Sequence, residues 1–295
     1  MVYNKTPLRY PGGKQKLTPF ILDIINANNI INGHYCEPYA GGAGVGLELL
    51  LSKKVKSIHL NDANYGIYAF WKSILDNHEE FCHLIRTASL TVEEWRLRKE
   101  IVKNYTNYSQ LEVGFSTFFL NRCNRSGILS GGVIGGNNQE GNYKMDARFK
   151  RNDLIRRIEA ISLFKDEIYV TNFDAEYYID NYIINLPLDN TLVYLDPPYY
   201  EKASNLYLNS YSKDDHAGIA EKIQNSIYHK WVLSYDGVPQ ILDLYLDRRQ
   251  FLYDLQYNAS KVYKGKEVFI FSDDLEIPLE CSLKSIDVAL QELFG

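Results

Sequence analysis

The stretch from Tyr35 to Asp62, YCEPYAGGAGVGLELLLSKKVKSIHLND, decides the fold class. Its pattern predicts a short strand over residues 35–38, a glycine-rich loop, an apolar helix and a second strand over residues 57–61. A unit of this order and length forms the right-handed crossover that joins two parallel strands. We therefore predict an α/β fold built around a parallel sheet.

The glycine loop does not match the two common phosphate-binding patterns. Counting from Gly42, the third glycine position of the pattern GxGxxG is Leu47, and no GK[ST] follows as in a P-loop. A ligand without a pyrophosphate fits such a turn, and Asp62 at the end of the next strand can accept hydrogen bonds from both ribose hydroxyls of an adenosine ligand. The residues alone leave open a tight turn with an aspartate at the surface.

The second motif follows the apolar strand predicted at Thr191–Leu195. Asp196-Pro197-Pro198-Tyr199 comes directly after this strand, and prolines cannot continue a central strand, so the chain leaves the sheet there. The Asp196 carboxylate and the Pro197 carbonyl are two rigid acceptors for the two N–H donors of an exocyclic amino group, and Tyr199 can stack on the attached ring. The alternative is an ordinary Pro-Pro turn with a capping aspartate.

The order of predicted elements indicates a discontinuous α/β domain. Residues 65–120 read as consecutive helices, a polar glycine-rich loop follows at residues 121–143, and alternating strands and helices resume at residue 168. Later strands are predicted at residues 168–171, 191–195, 231–234, 251–255 and 267–271. We predict a catalytic domain over residues 1–63 and 153–295, with an inserted helical and loop domain over residues 64–152.

Charge is distributed unevenly along the chain. The 295 residues carry a net charge of −5, yet residues 121–157 contain eight basic and three acidic side chains. A basic segment on an acidic body is typical of a phosphate-binding face, and a solvated helix face near residue 150 is the alternative.

The sequence has no signal-peptide pattern, no apolar run of ~20 residues and neither CxxC nor HExxH spacing. We expect a cytoplasmic protein without a metal site or a membrane span.

Five motifs in order resemble the Dam-type adenine-specific DNA methyltransferases, which use S-adenosylmethionine. RYPGGK at residues 9–14, EPYAGGAG at 37–44, NDAN at 61–64, FFLNR at 118–122 with SGI at 126–128, and DPPY at 196–199 resemble the motifs of that family. The resemblance covers nearly the whole chain. It implies a Rossmann-like, mostly parallel seven-stranded sheet with a target-recognition insertion.

The resemblance also implies site residues, a cofactor and a partner. The implied ligands of S-adenosylmethionine are Tyr10, Lys14, Glu37, Pro38, Tyr39, Gly41, Gly44, Asp62, Phe173 and Asp196. A target adenine flipped out of double-stranded DNA would be held by Asp196, Pro197, Pro198 and Tyr199. No metal is implied. Such an enzyme is bacterial or phage-encoded and associated with the nucleoid, often within a restriction-modification system, and can act on DNA as a monomer.

The inserted loop carries the expected DNA contacts. Its glycines allow the backbone to approach a groove, and its basic and amide side chains suit phosphates and base edges. The candidate DNA-binding residues are Arg9, Asn121, Arg122, Asn124, Arg125, Lys144 and Arg148.

One departure from the family concerns sequence recognition. Members that read GATC typically continue with N-G-L-x-R, whereas this chain has Ser126-Gly127-Ile128-Leu129-Ser130 without the arginine. The resemblance therefore implies adenine methylation but not recognition of GATC. Two alternatives stay open: a methyltransferase for RNA or another amino group, and an inactive methyltransferase-like protein that binds DNA.

Overall fold

The computed structural model describes residues 5–9, 14–200, 211–258, 262–278 and 291–292. The helices of these residues are α1 (Thr18–Ala27), α2 (Gly44–Leu51), α3 (Tyr65–Asp76), α4 (His78–Thr87), α5 (Val92–Lys103), α6 (Gln110–Cys123), α7 (Arg151–Ser162), α8 (Ala175–Asn181), α9 (Lys213–Ser226) and α10 (Pro239–Leu244). The strands are β1 (His34–Glu37), β2 (Ser57–Asn61), β3 (Ile168–Thr171), β4 (Thr191–Leu195), β5 (Lys230–Asp236), β6 (Gln250–Asn258), β7 (Val262–Phe271) and β8 (Gln291–Glu292). No helix in these ranges is both long and apolar enough to cross a membrane.

The chain divides into two compact units. One comprises Met1–Gly13 and Asn64–Asn172, and the other comprises Lys14–Ala63 and Phe173–Gly295. We call them the helical unit and the sheet unit.

The sheet unit contains a mostly parallel sheet of seven strands, in the order β2-β1-β4-β5-β7-β6-β8. β2, β1, β4 and β5 pair in parallel, and β7 is antiparallel to both β5 and β6. This architecture confirms the predicted fold class. The carboxyl ends of β1, β2 and β4 lie at one edge of the sheet, where open α/β sheets bind ligands.

Helices cover both faces of this sheet, as a parallel sheet requires. Val268 and Ile270 of β7 belong to the buried cluster formed with α8, α9 and α10. Phe269, between them in sequence, points to the opposite face and packs against Phe20 of α1 with ring centroids 4.9 Å apart. Alternation along a strand therefore places α1 on one face and α8–α10 on the other.

The helical unit is built around α3 and α6. Gly114 of α6 lies against α3 so closely that a Cβ atom there would be 2.5 Å from the Ala69 carbonyl oxygen. Phe70 and Phe118 stack with ring centroids 5.8 Å apart, and Phe81 and Phe115 extend this aromatic core. These helices therefore have an apolar core within their own unit.

The helical unit starts its main segment at Asn64, like the predicted insertion of residues 64–152, but it continues to Asn172 and includes the separate segment Met1–Gly13. Arg157 of α7 donates to the Thr6 carbonyl at 2.8 Å, which ties residues 5–9 to this unit. Arg151 donates to the carbonyls of Ile85 and Ala88, which fixes α7 against α4. These long-range side-chain bonds have no signature in local hydrophobic periodicity, so the predicted boundaries differ from the compact units.

Candidate functional site

The glycine loop after β1 forms a tight turn. Gly41 and Ala43 have φ values of 45° and 44°, in the left-handed region that glycine adopts most easily. The Ala43 amide donates to the Ala40 carbonyl at 2.7 Å, and the Ala40 amide donates to the Asn61 carbonyl at 2.8 Å. The Gly41 amide donates to Asp62 Oδ2 at 2.9 Å. The turn and the Asp62 carboxylate are therefore held together at the ends of β1 and β2.

Asn61 joins this turn to Phe173. Its buried side chain donates from Nδ2 to the carbonyls of Pro38 and Phe173, both at 3.0 Å, and Oδ1 accepts from the Phe173 amide at 2.9 Å. Asn61 belongs to the NDAN motif, but the motif predicted no separate role for its side chain. Its position directly before Asp62 at a strand end was the available signal.

Phe173 presents an apolar surface beside this turn. Its side chain is 38% exposed. Its ring lies against Tyr177 of α8 with centroids 5.0 Å apart. The backbone bonds to Asn61 fix the Phe173 main chain, so the exposed face is a preformed surface on which a flat ring can pack.

Glu37 at the end of β1 is buried next to the glycine loop. The Gly46 amide donates to its Oε1 at 3.1 Å. Burial raises the pKa of Glu37 to about 8, in spite of that hydrogen bond. A cationic group of a ligand at this carboxylate would favour its ionised form.

We predict that Glu37 makes the stability of the protein depend on pH. From the ordinary pKa of about 4.3 up to about 8, the folded protein keeps a proton that the unfolded chain loses. The free energy of unfolding therefore falls as pH rises, by at most about 1.4 kcal/mol per pH unit, and Glu37→Gln removes this contribution.

Urea unfolding of both proteins at about pH 5 and about pH 8 measures the effect. The wild type should lose stability relative to Glu37→Gln at the higher pH. A stability difference between the two proteins that is the same at both pH values would contradict the buried, protonated state.

Asp196 follows β4 and is held by two donors on the same oxygen. Lys14 Nζ donates to Asp196 Oδ1 at 2.8 Å, and Ser234 Oγ donates to it at 2.9 Å. Ser234 is itself within 2.8 Å of the Tyr194 hydroxyl. Asp196 is 25% exposed, so Oδ2 can receive a ligand while Oδ1 is engaged.

Lys14 is buried beside two carboxylates. Burial lowers the pKa of Lys14, but Asp196 and Glu267 outweigh it and raise that pKa above its ordinary value. Lys14 therefore stays charged and pairs with Asp196. Lys14 thus lies in the site, whereas Tyr10 and residues 11–13 of the same motif lie outside the described residues.

Tyr199 is buried, whereas the predicted role of stacking on a base needs an accessible ring. Its side chain is 4% exposed and forms part of the core between the sheet and α8–α10. Its hydroxyl donates to Glu267 Oε1 at 2.6 Å. Pro197 is buried as well, whereas Pro198 and Tyr39 are half-buried. Tyr199 therefore fixes the position of the motif, and stacking of its ring on a base would need local rearrangement.

Three of the predicted DNA-binding residues are buried within the helical unit. Asn121 donates to the carbonyls of Arg9 and Gly127, at 2.8 and 3.0 Å. Asn124 accepts from Trp95 Nε1 at 2.7 Å and donates to the carbonyls of Ile128 and Leu129. These amides fold the loop, so their contacts differ from the predicted role in binding DNA.

Arg122 has a similar position. Its Nε donates to the Arg148 carbonyl at 2.8 Å, Nη2 donates to the same carbonyl, and Nη1 donates to the Pro7 carbonyl at 3.3 Å. Burial, with a smaller contribution from Arg9 and Arg157, lowers the pKa of Arg122 to about 9. The guanidinium stays charged at neutral pH and donates its hydrogen bonds to backbone carbonyls. These contacts also differ from the predicted contact with DNA.

The remaining basic candidates are more accessible. Arg125, Lys144 and Arg148 are exposed, and Arg9 is half-buried with its Nη1 on the Asn124 carbonyl at 3.1 Å. Lys144 also donates to the Gln139 carbonyl. Arg125 and Arg148 are thus the exposed guanidinium groups among the predicted residues.

The loop that carries these side chains has a defined fold. Gln139 donates to the carbonyls of Ile134 and Gly136 at 2.8 and 2.7 Å and accepts from the Met145 amide at 2.9 Å. Gly127 has a φ of 79°, and a Cβ atom there would lie 2.2 Å from the Arg9 carbonyl oxygen. Only glycine fits this position without displacement of Arg9.

Comparison with known families agrees with this geometry. The sequence model of the D12 class N6 adenine-specific DNA methyltransferases matches residues 10–261. The chain belongs to this family. The Dam-type resemblance is thereby confirmed at the level of the family.

Sequence comparison also finds a distant relative that is much longer than this chain. Modification methylase StsI of Streptococcus sanguinis is 28% identical over 209 residues, which cover 67% of this chain and 29% of that protein. This chain therefore spans less than a third of that relative's length.

Among solved structures, the rRNA methyltransferase aviRa of Streptomyces viridochromogenes matches 89% of this chain and 86% of its own, with 11% identity and a TM-score of 0.35. A conserved hypothetical protein of Streptococcus pyogenes matches 81% and 86%, with 12% identity and a TM-score of 0.31.

Methyltransferases of this class use S-adenosylmethionine, and three side chains of the sheet unit suit the parts of that molecule. The Asp62 carboxylate beside the glycine turn suits ribose hydroxyls, and the Glu37 carboxylate suits an ammonium group. The exposed face of Phe173 suits an adenine ring. All three groups belong to segments that Asn61 and the glycine turn hold together.

Proposed function

We propose that this methyltransferase methylates the exocyclic 6-amino group of adenine in duplex DNA. The observation that carries the proposal is the Asp196 carboxylate at the end of β4, with Oδ1 fixed by Lys14 and Ser234. A carboxylate held in this way is a rigid acceptor for one N–H of an amino group. The side chains suited to the cofactor, those of Glu37, Asp62 and Phe173, lie at or near the ends of the neighbouring strands.

In the proposed mechanism the target adenine leaves the duplex, which costs a few kcal/mol of stacking and pairing energy. Asp196 Oδ2 and the Pro197 carbonyl then accept hydrogen bonds from the 6-amino group. These two acceptors orient the amino nitrogen and increase its electron density. S-adenosylmethionine supplies the methyl group when it is bound.

Positioning and electrostatics supply the acceleration in this proposal, because an aromatic amino nitrogen is a poor nucleophile. As the nitrogen gains a methyl group it becomes positively charged, and the Asp196 carboxylate stabilises that charge until the nitrogen releases one of its two protons to water. Lys14 holds the Asp196 carboxylate in position, since the charged ammonium group lies 2.8 Å from Oδ1.

The cofactor is proposed to lie at the ends of β1 and β2. Asp62 accepts from the ribose hydroxyls, Glu37 faces the ammonium group of the methionine part, and Phe173 packs on the adenine. The loop residues Pro38, Tyr39, Gly41 and Gly44 form the turn against which the methionine part rests. Tyr10 keeps its proposed place as an aromatic contact of the cofactor.

DNA is proposed to bind the helical unit through its exposed basic side chains. Arg125, Lys144 and Arg148 are exposed and belong to a segment in which basic residues exceed acidic ones. Phosphate contacts from such residues position a protein on a duplex, and a guanidinium can also read a guanine edge.

The experiment that tests the proposal supplies methyl-labelled S-adenosylmethionine and compares three polymers: a plasmid, a structured RNA and a protein mixture. We expect label in DNA only, recovered as N6-methyl-2′-deoxyadenosine after digestion to nucleosides and mass spectrometry. Modification-sensitive sequencing of the plasmid then gives the methylated motif. Label in RNA, or in cytosine, would contradict the proposed substrate. Absence of label from every polymer would favour an inactive DNA-binding protein.

We predict that Asp62→Ala weakens binding of S-adenosylmethionine. The variant loses a charged acceptor for the ribose hydroxyls, and the Gly41 amide loses its side-chain partner. The expected loss is about 1.5–3 kcal/mol of binding free energy, measured by titration calorimetry. Asp243→Ala, which removes an exposed carboxylate from α10, is the matched control and should leave the affinity unchanged. Equal affinities for wild type and Asp62→Ala would exclude the ribose contact.

A further inference from the structure

Glu267 places a carboxyl group in the middle of the sheet. It lies on β7, in register with Asp236 of β5 and Tyr253 of β6, and its side chain has no exposed surface. Burial of a carboxyl group without partners is costly. The sequence pattern around Glu267 predicts only a strand, and the contacts of its side chain indicate its role.

Two hydroxyl groups and one ammonium group surround this carboxyl group. The Tyr199 hydroxyl donates to Oε1 and the Tyr253 hydroxyl donates to Oε2, both at 2.6 Å. Lys14 Nζ lies 3.8 Å from Oε2. The two oxygens therefore have different partners: Oε2 faces the neighbouring strand, and Oε1 faces the motif after β4.

A short path of contacts joins Glu267 to Asp196. Lys14 Nζ donates to the Tyr199 hydroxyl at 2.5 Å and to Asp196 Oδ1 at 2.8 Å. Tyr199 therefore receives a hydrogen bond from Lys14 and passes one to Glu267. Both ends of this path are carboxylates, and the one lysine between them holds its position because each side attracts it.

We propose that Glu267 is a positioning residue of the methyl-transfer site, which acts through Tyr199 and Lys14 on the carboxylate of Asp196. The inference rests on the proposed function, since it concerns the group that receives the target amino nitrogen. Glu267 holds the Tyr199 hydroxyl and the Lys14 ammonium group. Lys14 in turn stays on Oδ1 of Asp196 and leaves Oδ2 to the adenine.

The alternative is that Glu267 only stabilises the sheet, and the contacts separate the two roles. A purely structural carboxyl group would need its bond to Tyr253 within the sheet. The bond to Tyr199 and the proximity to Lys14 lead out of the sheet to the site. Loss of Glu267 would leave Lys14 with Asp196 as its only carboxylate among the described residues, free to shift toward Oδ2.

The test replaces Glu267 with glutamine, which keeps the size and removes the charge. We expect kcat and the single-turnover rate of DNA methylation to fall about tenfold to a hundredfold, because a misplaced acceptor slows the chemical step. KM for S-adenosylmethionine and for DNA should stay at the wild-type values. A crystal structure of Glu267→Gln should show Lys14 displaced from Oδ1 of Asp196.

Gln250→Leu is the matched control. Gln250 is buried on β6 and donates to the carbonyls of Leu242 and Tyr245, so its replacement also removes buried hydrogen bonds from this sheet. It should lower the unfolding temperature and leave kcat per folded molecule unchanged. A structural role for Glu267 alone predicts the same behaviour for Glu267→Gln, with Lys14 in place, and that result would overturn the inference.

A second variant covers the case in which Glu267→Gln does not fold. Tyr199→Phe keeps the buried carboxyl group and removes only the hydroxyl that joins it to Lys14. It should lower kcat to a similar extent with KM unchanged, and wild-type kcat in this variant would also overturn the inference. Wild-type protein that methylates no DNA at all would instead contradict the proposed function, so the two failures are distinguishable.

Discussion

Replacement of Asp196 with alanine is expected to remove nearly all DNA methylation. The variant loses the acceptor that orients and polarises the target amino group. Removal of one group that stabilises charge in a transition state typically costs about 10²–10³-fold in rate, and here the same group also positions the nucleophile. Single-turnover methylation of duplex DNA measures the effect without interference from product release.

The fold should survive this substitution, which makes the rate interpretable. Lys14 is buried, and loss of Asp196 leaves it with Glu267, 3.8 Å away, and with the Tyr199 hydroxyl. A buried ammonium group therefore keeps a countercharge. A urea unfolding curve that matches the wild type would show an intact fold.

Asp243→Ala is a suitable control for Asp196→Ala, because it removes an exposed carboxylate from the same unit. It should methylate DNA at the wild-type rate. Turnover close to wild type in Asp196→Ala would refute the assigned role of the motif after β4 and, with it, the proposed mechanism.

Local sequence patterns were sufficient to predict the frame of the site. The strand predicted at residues 57–61 is β2, and the strand predicted at residues 191–195 is β4. Residues 191–195 are a short apolar run, residues 57–61 alternate polar and apolar side chains, and both stretches end at a polar or proline-rich motif that marks where the chain leaves the sheet. The motifs that follow them, Asp62 and Asp196, therefore lie at strand ends as expected.

Contacts between distant residues were beyond those patterns. Glu267 lies in a strand recognised by its apolar neighbours, and nothing local indicates that its partners are Tyr199 and Lys14. Asn61 is similar, since its hydrogen bonds to Phe173 span 112 residues. Buried polar groups must find donors and acceptors, but sequence spacing does not say where.

In the basic segment of residues 121–157, residue type did not predict which side chains are exposed. Residue type alone made Arg122 and Arg125 equivalent candidates for DNA contacts. In the structure Arg122 lies under the loop and Arg125 lies on its surface. Residues three apart lie on the same face of a continuous helix, but α6 ends at Cys123, so the chain changes direction before it reaches Arg125.

Replacement of the buried Arg122 with alanine is expected to destabilise the protein strongly. Arg122→Ala removes three hydrogen bonds from a charged group to the carbonyls of Arg148 and Pro7. Each bond from a charged donor contributes about 1.5–3 kcal/mol, and the two carbonyls lose these partners in a buried region. We expect the free energy of unfolding to fall by about 3 kcal/mol or more, measured by urea unfolding.

Arg125→Ala is the matched substitution on the exposed side of the same loop, three residues further along. It should leave the free energy of unfolding within about 0.5 kcal/mol of wild type, because no described hydrogen bond of its guanidinium is lost. DNA affinity should instead fall by about 1–3 kcal/mol. A base contact would relax one position of the methylated motif, whereas a phosphate contact would weaken all sequences alike and reduce the salt slope by about one. If Arg122→Ala were as stable as wild type and lost only DNA affinity, Arg122 would be a DNA contact after all, and its bonds to the loop carbonyls would contribute little to folding.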